Sequence, residues 1–410
     1  MALEHDRPFS VVVPLPASYR GGTEEYAYRL VRGFSQRAPT QVLSTTVRWD
    51  PQAELLDTGT ATVDRLPAAE LFQRPLLLFP SARRRLWRAI GRSRALNLHM
   101  PFPFVEAPAV RRAHRAGIPV VLTYHMDADL GSAQRTVGAG VVTRAYRRFS
   151  AHPALDQCDI VVSNSLGYAR ASPVLSRHLG RVRVVPKGVD PVRLGIGPDG
   201  TRGTVPESVL RERLPKSSKK VLFVGRLVPY KGVHVLLEAF AQLRGRRSDL
   251  ELLIAGRGPL LPQLQGRARS AGIEGRVHFL GFVPDLELGD LYRCSDVVVV
   301  PSMGLLESTA TVLEEATACG VPIVGSDLPG ASESLSNDGV RGRLVPPGDV
   351  DALAEAISRF VDAPRPPLPT AVRSWDDVVS DYLGLFRSLG VTIGEPSSAI
   401  GGALPGTDAV

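Results

Sequence analysis

The chain has 410 residues, 49 Lys and Arg against 41 Asp and Glu and a formal net charge of +8, a length comfortable for two domains that each bury a core. Its three cysteines, Cys158, Cys294 and Cys319, are too few and too scattered for a disulfide framework or a cysteine-based metal site, and they point to a reducing compartment. No apolar run approaches the ~18 residues of a membrane-spanning helix, and the opening MALEHDRPFSVVVPLP lacks the basic region and long apolar core of a signal peptide, so a soluble or peripheral cytoplasmic chain is expected.

The positive charge is uneven. Residues 1–200 hold 27 Lys/Arg and 16 Asp/Glu, net +11, and the remainder hold 22 and 25, net −3. Its densest part is RPLLLFPSARRRLWRAIGRSRALN, Arg74 to Asn97, where Leu86, Trp87 and Ile90 interrupt a run of arginines. A basic amphipathic helix over Arg83–Arg94 reads as a contact with an anionic membrane or acceptor, or as a solvated Arg-rich face. No nucleic-acid module or aromatic stacking series accompanies it, so nucleic acid is not an expected partner.

QCDIVVSNS (Gln157–Ser165) and RCSDVVVVPS (Arg293–Ser302) both set Cys and Asp before an apolar strand, an echo that fits a duplicated Rossmann-like topology. Gly, Pro, Asp and Arg crowd together near Val189–Lys216, where apolar periodicity lapses. We therefore place an N-terminal domain at residues 1–190, a linker at 191–218, a second domain at 219–364 and a linker with a crossover helix at 365–392. Within that last stretch Ser374–Leu389 reads as amphipathic, with Val378, Val379, Tyr382, Leu385 and Phe386 on its apolar side. The Gly-, Ser-, Pro- and Ala-rich tail, 393–410, is expected to be disordered.

KKVLFVGRLVPYKGVHVLLEAF, Lys219–Phe240, reads as a strand, a glycine exit at Gly225, a basic loop and an apolar-periodic helix. Arg226 and Lys231 then sit at the carboxyl end of the strand, where open α/β sheets bind ligands. A guanidinium that grips two oxygens and a mobile ammonium suit a diphosphate; two solvated surface bases in a turn is the other reading. From Cys294 the chain reads CSDVVVVPSMGLLESTATVLEEATACGVPIVGSD, a buried strand, a turn, a helix from about Ser308 to Cys319 and a new strand. Ser308 or Thr309 is a natural N-cap, and the free amides and positive dipole end there form an anion site. Glu307 lies before this helix and Glu315 eight residues later, about 12 Å along it. Phosphate at the helix start would let Glu307 meet sugar hydroxyls and Glu315 a ribose diol. Alternatively Glu307 complements the helix dipole, and Glu315 is a solvated neighbour of Glu314.

GRLVPYKG, followed by Pro301-Ser302, Glu307 and Glu315-Ala316 with Gly320-Val321-Pro322 after them, resembles the family 4 glycosyltransferases of the GT-B fold. The likeness continues through PASYRGGTEEYAYRL, LTYHMDAD, VVSNS, PKGVD, LIAGRGPL, GFVPDLELGDLYRCSD and LPGASE. HMPFPF, TYHMDAD and YARASPVL further resemble a bacterial polysaccharide-assembly branch. The resemblance implies two Rossmann-like domains facing a central cleft, the second binding the donor, with a terminal helix crossing back to the first. It implies a donor site at Gly225, Arg226, Lys231, Glu307, Ser308, Thr309, Ala310, Thr311 and Glu315, with Glu307, His125, Arg226 and Lys231 at the reacting centre. An acceptor and phosphate loop would be formed by Gly21, Gly22 and Asp127; His125 and the glycine pair can also be read as a satisfied strand-end histidine and an ordinary turn. Where the family carries Glu-Gly-Phe-Gly, this chain has Glu307-Ser308-Thr309-Ala310-Thr311, trading backbone freedom for hydroxyl donors. Arg257 stands where the family often has an acid or amide.

The activity implied is transfer, with retention and without a metal or other cofactor, of a hexose-type sugar from a nucleotide-diphospho-sugar. The acceptor is expected to be a glycan or lipid-linked glycan, with a GDP-mannose type of donor favoured by the polysaccharide likeness. The alternatives are glycosylation of a small metabolite, a silent sugar-nucleotide-binding protein and a nucleotide-sugar epimerase.

Overall fold

The computed structural model describes residues 7–15, 22–47, 60–71, 74–128, 138–197, 218–304, 311–335, 342–369 and 371–393. The chain divides into two compact units, one made of Met1–Tyr124, Asp129–Val161 and Val379–Val410, the other of His125–Ala128 and Val162–Val378. In chain order the first stretch gives β1 (Phe9–Val12), α1 (Gly22–Ser35), β2 (Thr40–Thr45), β3 (Thr62–Leu66), β4 (Ala69–Leu71), β5 (Arg74–Leu76), α2 (Pro80–Ile90), β6 (Ala95–Met100), α3 (Glu106–His114) and β7 (Val120–Tyr124). Then come α4 (Ala139–Tyr146), a π turn (Arg147–Ala151), α5 (His152–Gln157), β8 (Ile160–Ser163), α6 (Leu166–Ala171) and β9 (Val182–Val184). β4 and β5 form a separate antiparallel pair; the other strands form one sheet in the order β3-β2-β1-β6-β7-β8-β9. β1, β6 and β7 are buried throughout, as expected of strands covered on both faces of a parallel sheet.

The later stretch gives β10 (Lys219–Val224), α7 (Val233–Leu243), β11 (Leu250–Ala255), α8 (Leu261–Ser270), β12 (Val277–Gly281), α9 (Asp285–Cys294), β13 (Val297–Val300), α10 (Thr311–Ala318), β14 (Ile323–Ser326), α11 (Pro329–Leu335), β15 (Gly342–Val345), α12 (Val350–Phe360) and α13 (Trp375–Ser388). Its sheet has the order β12-β11-β10-β13-β14-β15, parallel throughout. That is the 3-2-1-4-5-6 order of a doubly wound nucleotide-binding sheet, whose order reverses between its first and fourth strands, here β10 and β13. The core on one side joins Val221, Phe223, Leu236, Phe240 and Ile357, supplied by β10, α7 and α12.

α13 returns the chain to the first unit. Phe386 lies 5.3 Å from the Phe9 ring and 6.1 Å from Phe34. Gly33 has no room for a Cβ, which would overlap Val379, so glycine is required where α1 and α13 touch. The buried stripe of α13 is Val378, Val379, Tyr382, Leu383 and Phe386. Leu383 takes the inward place the pattern assigned to Leu385, because residues 378, 382 and 386 define the stripe and 383 falls on it with 379. The arginine helix is shorter than Arg83–Arg94. α2 ends at Ile90, and Arg94 beyond it donates to the Thr392 carbonyl at 3.0 Å and lies over the Phe9 ring. Among the described residues no helix is long and apolar enough to cross a membrane.

Candidate active site

The carboxyl ends of β10, β11 and β13 carry the basic loops. Gly225 leaves β10 at φ 153° and donates its N–H to Ala255 at 2.9 Å. A Cβ at Gly256 would overlap the Gly225 carbonyl oxygen, so the two loops cross backbone against backbone, and Leu227 N–H then donates to Arg257 at 2.9 Å. Arg226 and Arg257 are both exposed, with the Arg257 guanidinium 5.7 Å from the centre of the Phe282 ring, itself 48% exposed. Lys231 closes a tight turn, Pro229–Lys231. Gly232 follows at φ 68°, packed where a Cβ would overlap the Pro301 carbonyl oxygen. The Met303 N–H donates to Tyr230 at 2.8 Å. These contacts seat the Lys231 turn on the exit of β13, and the Lys231 stem passes within 3.8 Å of the position a Cβ on Gly225 would take. Arg226 and Lys231 therefore belong to one set of turns at the point where strand order reverses.

Glu307, Ser308, Thr309, Ala310 and Gly21 lie outside the described residues. α10 is described from Thr311, which is half-buried. Glu315 is 7% exposed, so the solvated-helix reading of this residue does not hold. Tyr292 donates its hydroxyl to Glu315 Oε2 at 2.7 Å, and Arg193 Nη1 lies 3.8 Å from Oε1. Burial pushes the Tyr292 hydroxyl far above its ordinary value, and the adjacent carboxylate adds to the shift. Thus Tyr292 stays a neutral donor to Glu315. Neither partner was legible as a site residue: Arg193 is 122 positions from Glu315 and Tyr292 sits inside an ordinary helix pattern.

His125, 5% exposed, directly follows β7. Asp127 is fixed from both ends. Its N–H donates to the Tyr168 hydroxyl at 2.8 Å, that hydroxyl donates to Asp127 Oδ2 at 3.1 Å and Ser172 donates to Oδ1 at 3.0 Å. The motifs TYHMDAD and YARASPVL, separate in sequence, are thereby one hydrogen-bonded cluster. Gly22 starts α1; a Cβ there would meet nothing within 4 Å, so packing makes no demand for glycine at that position.

Glu333, in the LPGASE motif, accepts the Leu166 N–H on Oε2 at 3.0 Å and the Gly167 N–H on Oε1. A Cβ at Gly167 would overlap the Pro329 carbonyl oxygen, which lets α6 and α11 come this close. Ser165 caps α6 by accepting the Tyr168 N–H at 3.0 Å. Glu333 thus holds the start of the helix that carries Tyr168 and Ser172.

The HMPFPF segment runs from the end of β6 into α3. His99 Nε2 lies 2.7 Å from Asn97 Oδ1, and complete burial holds this imidazole down to about 3, so it is neutral. Asn97 donates to Thr123 at 3.0 Å, Thr123 meets the Tyr382 hydroxyl at 2.9 Å and Tyr26 donates to Tyr382 at 3.2 Å. Glu106, which the sequence did not mark, is wholly buried and accepts from Phe102 N–H at 2.7 Å, Tyr146 at 2.8 Å and Ser150 at 2.5 Å. Burial raises its pKa above the ordinary carboxyl value despite these donors. Its proximity to the HMPFPF motif was the only signal. Among the described residues no group of three or more His, Cys, Asp or Glu is placed to hold a metal ion.

The family model "Glycosyltransferase Family 4" matches residues 20–193 and "Glycosyl transferases group 1" matches residues 206–373. The chain is 29% identical over 270 residues to D-rhamnosyltransferase WbpZ of Pseudomonas aeruginosa, covering 66% of this chain and 65% of that relative. It is therefore matched to just under two thirds of that relative's length. It is 26% identical over 346 residues to O-antigen chain mannosyltransferase C of Escherichia coli, covering 84% of this chain and 85% of the other. Among solved structures, Anabaena Alr3699/HepE in complex with UDP and glucose superposes with a TM-score of 0.69 at 19% identity, over 94% of this chain and 100% of that one. At that identity the likeness is one of fold.

Proposed function

The chain belongs to the family 4 glycosyltransferases, and from that premise we propose that it transfers a hexose-type sugar from a nucleotide-diphospho-sugar to a hydroxyl of a glycan or lipid-linked glycan. The observation that carries this reading is the convergence of Arg226, Lys231 and the exit of β13 at the reversal point of a 3-2-1-4-5-6 sheet. In the reaction the bond between the anomeric carbon and the phosphate oxygen breaks, and its electron pair goes to the diphosphate. The acceptor oxygen bonds to the anomeric carbon on the same face, and its proton passes to the leaving phosphate. Arg226, Lys231 and the amides of Ser308–Thr311 stabilise charge on the leaving group as preorganised donors. Those groups supply the countercharge, so the reading requires no metal. Glu307 positions the transferred sugar and Glu315 the ribose. His125 and the Gly21-Gly22 pair are assigned to the reacting centre and acceptor, with Asp127 fixing the segment next to His125.

Mannosyl transfer from GDP-mannose is the leading donor assignment, supported by the mannosyltransferase relative and by a relative named as GDP-mannose-dependent. The work would take place in the cytoplasm at the inner face of the membrane, touched through the exposed arginines of α2. Calorimetric titration with UDP-, GDP-, ADP- and TDP-sugars, followed by transfer assays with the donor that binds, tests the reading. Lys231→Ala and Glu307→Ala are each expected to abolish transfer with the fold intact. Near-wild-type turnover in both variants would falsify the site; binding without transfer to any glycan acceptor would leave a silent sugar-nucleotide-binding protein.

A further inference from the structure

Arg193 reaches Glu315 from a stretch that precedes β10 and is neither strand nor helix of the second sheet, yet belongs to the same compact unit. The stretch is a closed turn. The Pro191 carbonyl accepts the Leu194 N–H at 3.1 Å and the Ile196 N–H at 2.8 Å, and Asp190 Oδ1 accepts the Arg193 N–H at 3.1 Å. Leu194 is fully buried in one cluster with Leu291, Tyr292, Ala316 and Cys319. Its carbonyl accepts from Arg293 of α9, and a Cβ at Gly289 on the same helix would overlap it. Arg293 is held in turn by Asp290 at 2.7 Å. The backbone around Arg193 is therefore fixed to α9 and to the core that α10 shares, and the origin of its side chain is fixed with it.

Three side chains from three places in the sequence meet at this point. Glu315 lies four residues into α10 from Thr311, about 6 Å along the axis, on the helix that follows β13. Tyr292 of α9 donates to one carboxylate oxygen and Arg193 stands beside the other. The Arg193 side chain is only 18% exposed, so both charges of the pair are largely withdrawn from water. Stability alone does not call for such a group. Leu313 and Ala316 on the same helix are apolar and buried, and apolar side chains in place of a buried ion pair are often neutral or stabilising. What the arrangement supplies is a carboxylate with a countercharge and a fixed direction. A carboxylate has about four acceptor positions, so it can accept from Tyr292 and from a vicinal diol together.

We propose that Arg193 and Tyr292 are positioning residues for the nucleotide, aiming the Glu315 carboxylate at the ribose hydroxyls, so that the turn before β10 takes part in selecting a ribonucleotide over a deoxyribonucleotide. The proposal rests on the assignment of Glu315 to the ribose under the proposed function. Calorimetric titration of the full chain with ADP, CDP, GDP and UDP, and with the 2′-deoxy form of each, tests it. For the diphosphate that wild type binds most tightly, the ribo form is expected to be preferred about tenfold to a hundredfold, as for one hydroxyl bonded to a charged group. Arg193→Gln and Tyr292→Phe should each cut that preference to about threefold or less, with affinity for the 2′-deoxy form kept within about twofold of wild type. Tyr292→Phe keeps the buried ring, and Arg193→Lys, which keeps the charge, should recover part of the preference. Equal losses for the ribo and 2′-deoxy forms would make the pair merely structural and overturn the proposal. Loss of the preference in Glu315→Gln, with Arg193→Gln and Tyr292→Phe keeping it, would overturn the positioning role and leave the ribose assignment standing. Wild type binding both forms alike, or binding none of the four diphosphates, would overturn the ribose assignment and the proposal with it.

Discussion

The two sheets finish their strands differently. At the ends of β6 and β7 the polar side chains are buried and tied to one another, as in the chain from His99 through Asn97, Thr123 and Tyr382 and in the Asp127 cluster. At the ends of β10 and β11 the backbone turns on Gly225 and Gly256, and Arg226 and Arg257 stand in solvent. The first arrangement has fixed its polar groups before any ligand arrives, whereas the second offers exposed positive charge on a backbone held by glycine contacts. Under the proposed function, the exposed cations of the second sheet would grip the diphosphate, and the fixed polar groups of the first would present a rigid surface to the acceptor. The difference also predicts how each breaks: loss of a cation at the second sheet should cost activity alone, and loss of a polar group at the first should cost stability with it.

The largest effect is expected from Arg226→Ala and Lys231→Ala. Each should lower kcat/KM by about a hundredfold or more, the loss typical of removing one preorganised donor to developing charge, with a melting temperature unchanged. Steady-state kinetics with the donor found by calorimetry, together with a thermal melt, checks this; a melting temperature that falls with the activity would erase the contrast between the sheets. Asp127→Asn comes next. The amide that replaces one carboxylate oxygen faces a hydroxyl that now donates to it, so the cluster loses about 1–3 kcal/mol and His125 loses its fixed neighbour. Activity should drop about tenfold and the melting temperature should fall in the same variant, whereas full stability with lost activity would mean that Asp127 behaves like the cations of the second sheet.

Much of this contrast was written in local patterns. The β10 strand, its Gly225 exit and the Arg226 to Lys231 loop are contiguous, and apolar runs with glycine stops need no distant information to be read. α13 was legible for the same reason, and Leu383 was missed because a stripe one residue wide at its edge is decided by what α1 and β1 offer it. What stayed hidden were partners joined only by folding. Glu106 reaches Tyr146 across 40 residues, Tyr292 reaches Glu315 across 23 and Glu333 reaches Gly167 across 166. No periodicity records such pairs. Sequence did record that TYHMDAD and YARASPVL belong to one resemblance, and the Asp127 to Ser172 bond supplies the physical link between them.

Glu333→Gln sharpens the point at smaller scale. One of two backbone N–H groups, Leu166 or Gly167, would face an amide donor, at a cost of about 1–2 kcal/mol confined to α6. Hydrogen exchange should quicken over residues 166–172 and leave the strands of both sheets protected. Uniform quickening across the chain would show that the clamp serves global stability and has no special hold on the Tyr168 and Ser172 cluster.

The smallest effect separates burial from hydrogen bonding at Glu106. In Glu106→Gln the amide oxygen can take the Phe102 N–H and Tyr146 hydroxyl, and the NH2 can donate to Ser150, so every neighbour keeps a partner. What changes is the titration. Burial raises the folded-state value above the 4.5 of an ordinary glutamate, so the stabilising share of the protonated acid is complete below 4.5 and is lost as pH rises through the folded value. The depressed value of His99 acts with the opposite sign, its share being lost as pH falls from 6.5 towards about 3, but it is common to both proteins and cancels in their difference. Relative to wild type, Glu106→Gln should therefore gain stability as pH rises above 4.5, at no more than about 1.4 kcal/mol per pH unit for one proton. Denaturant titrations of the two proteins at a series of pH values read that difference directly. A difference independent of pH would mean that the three donors offset burial in the folded chain, so that this carboxyl titrates as it does when unfolded and is no less charged than the exposed groups of the second sheet.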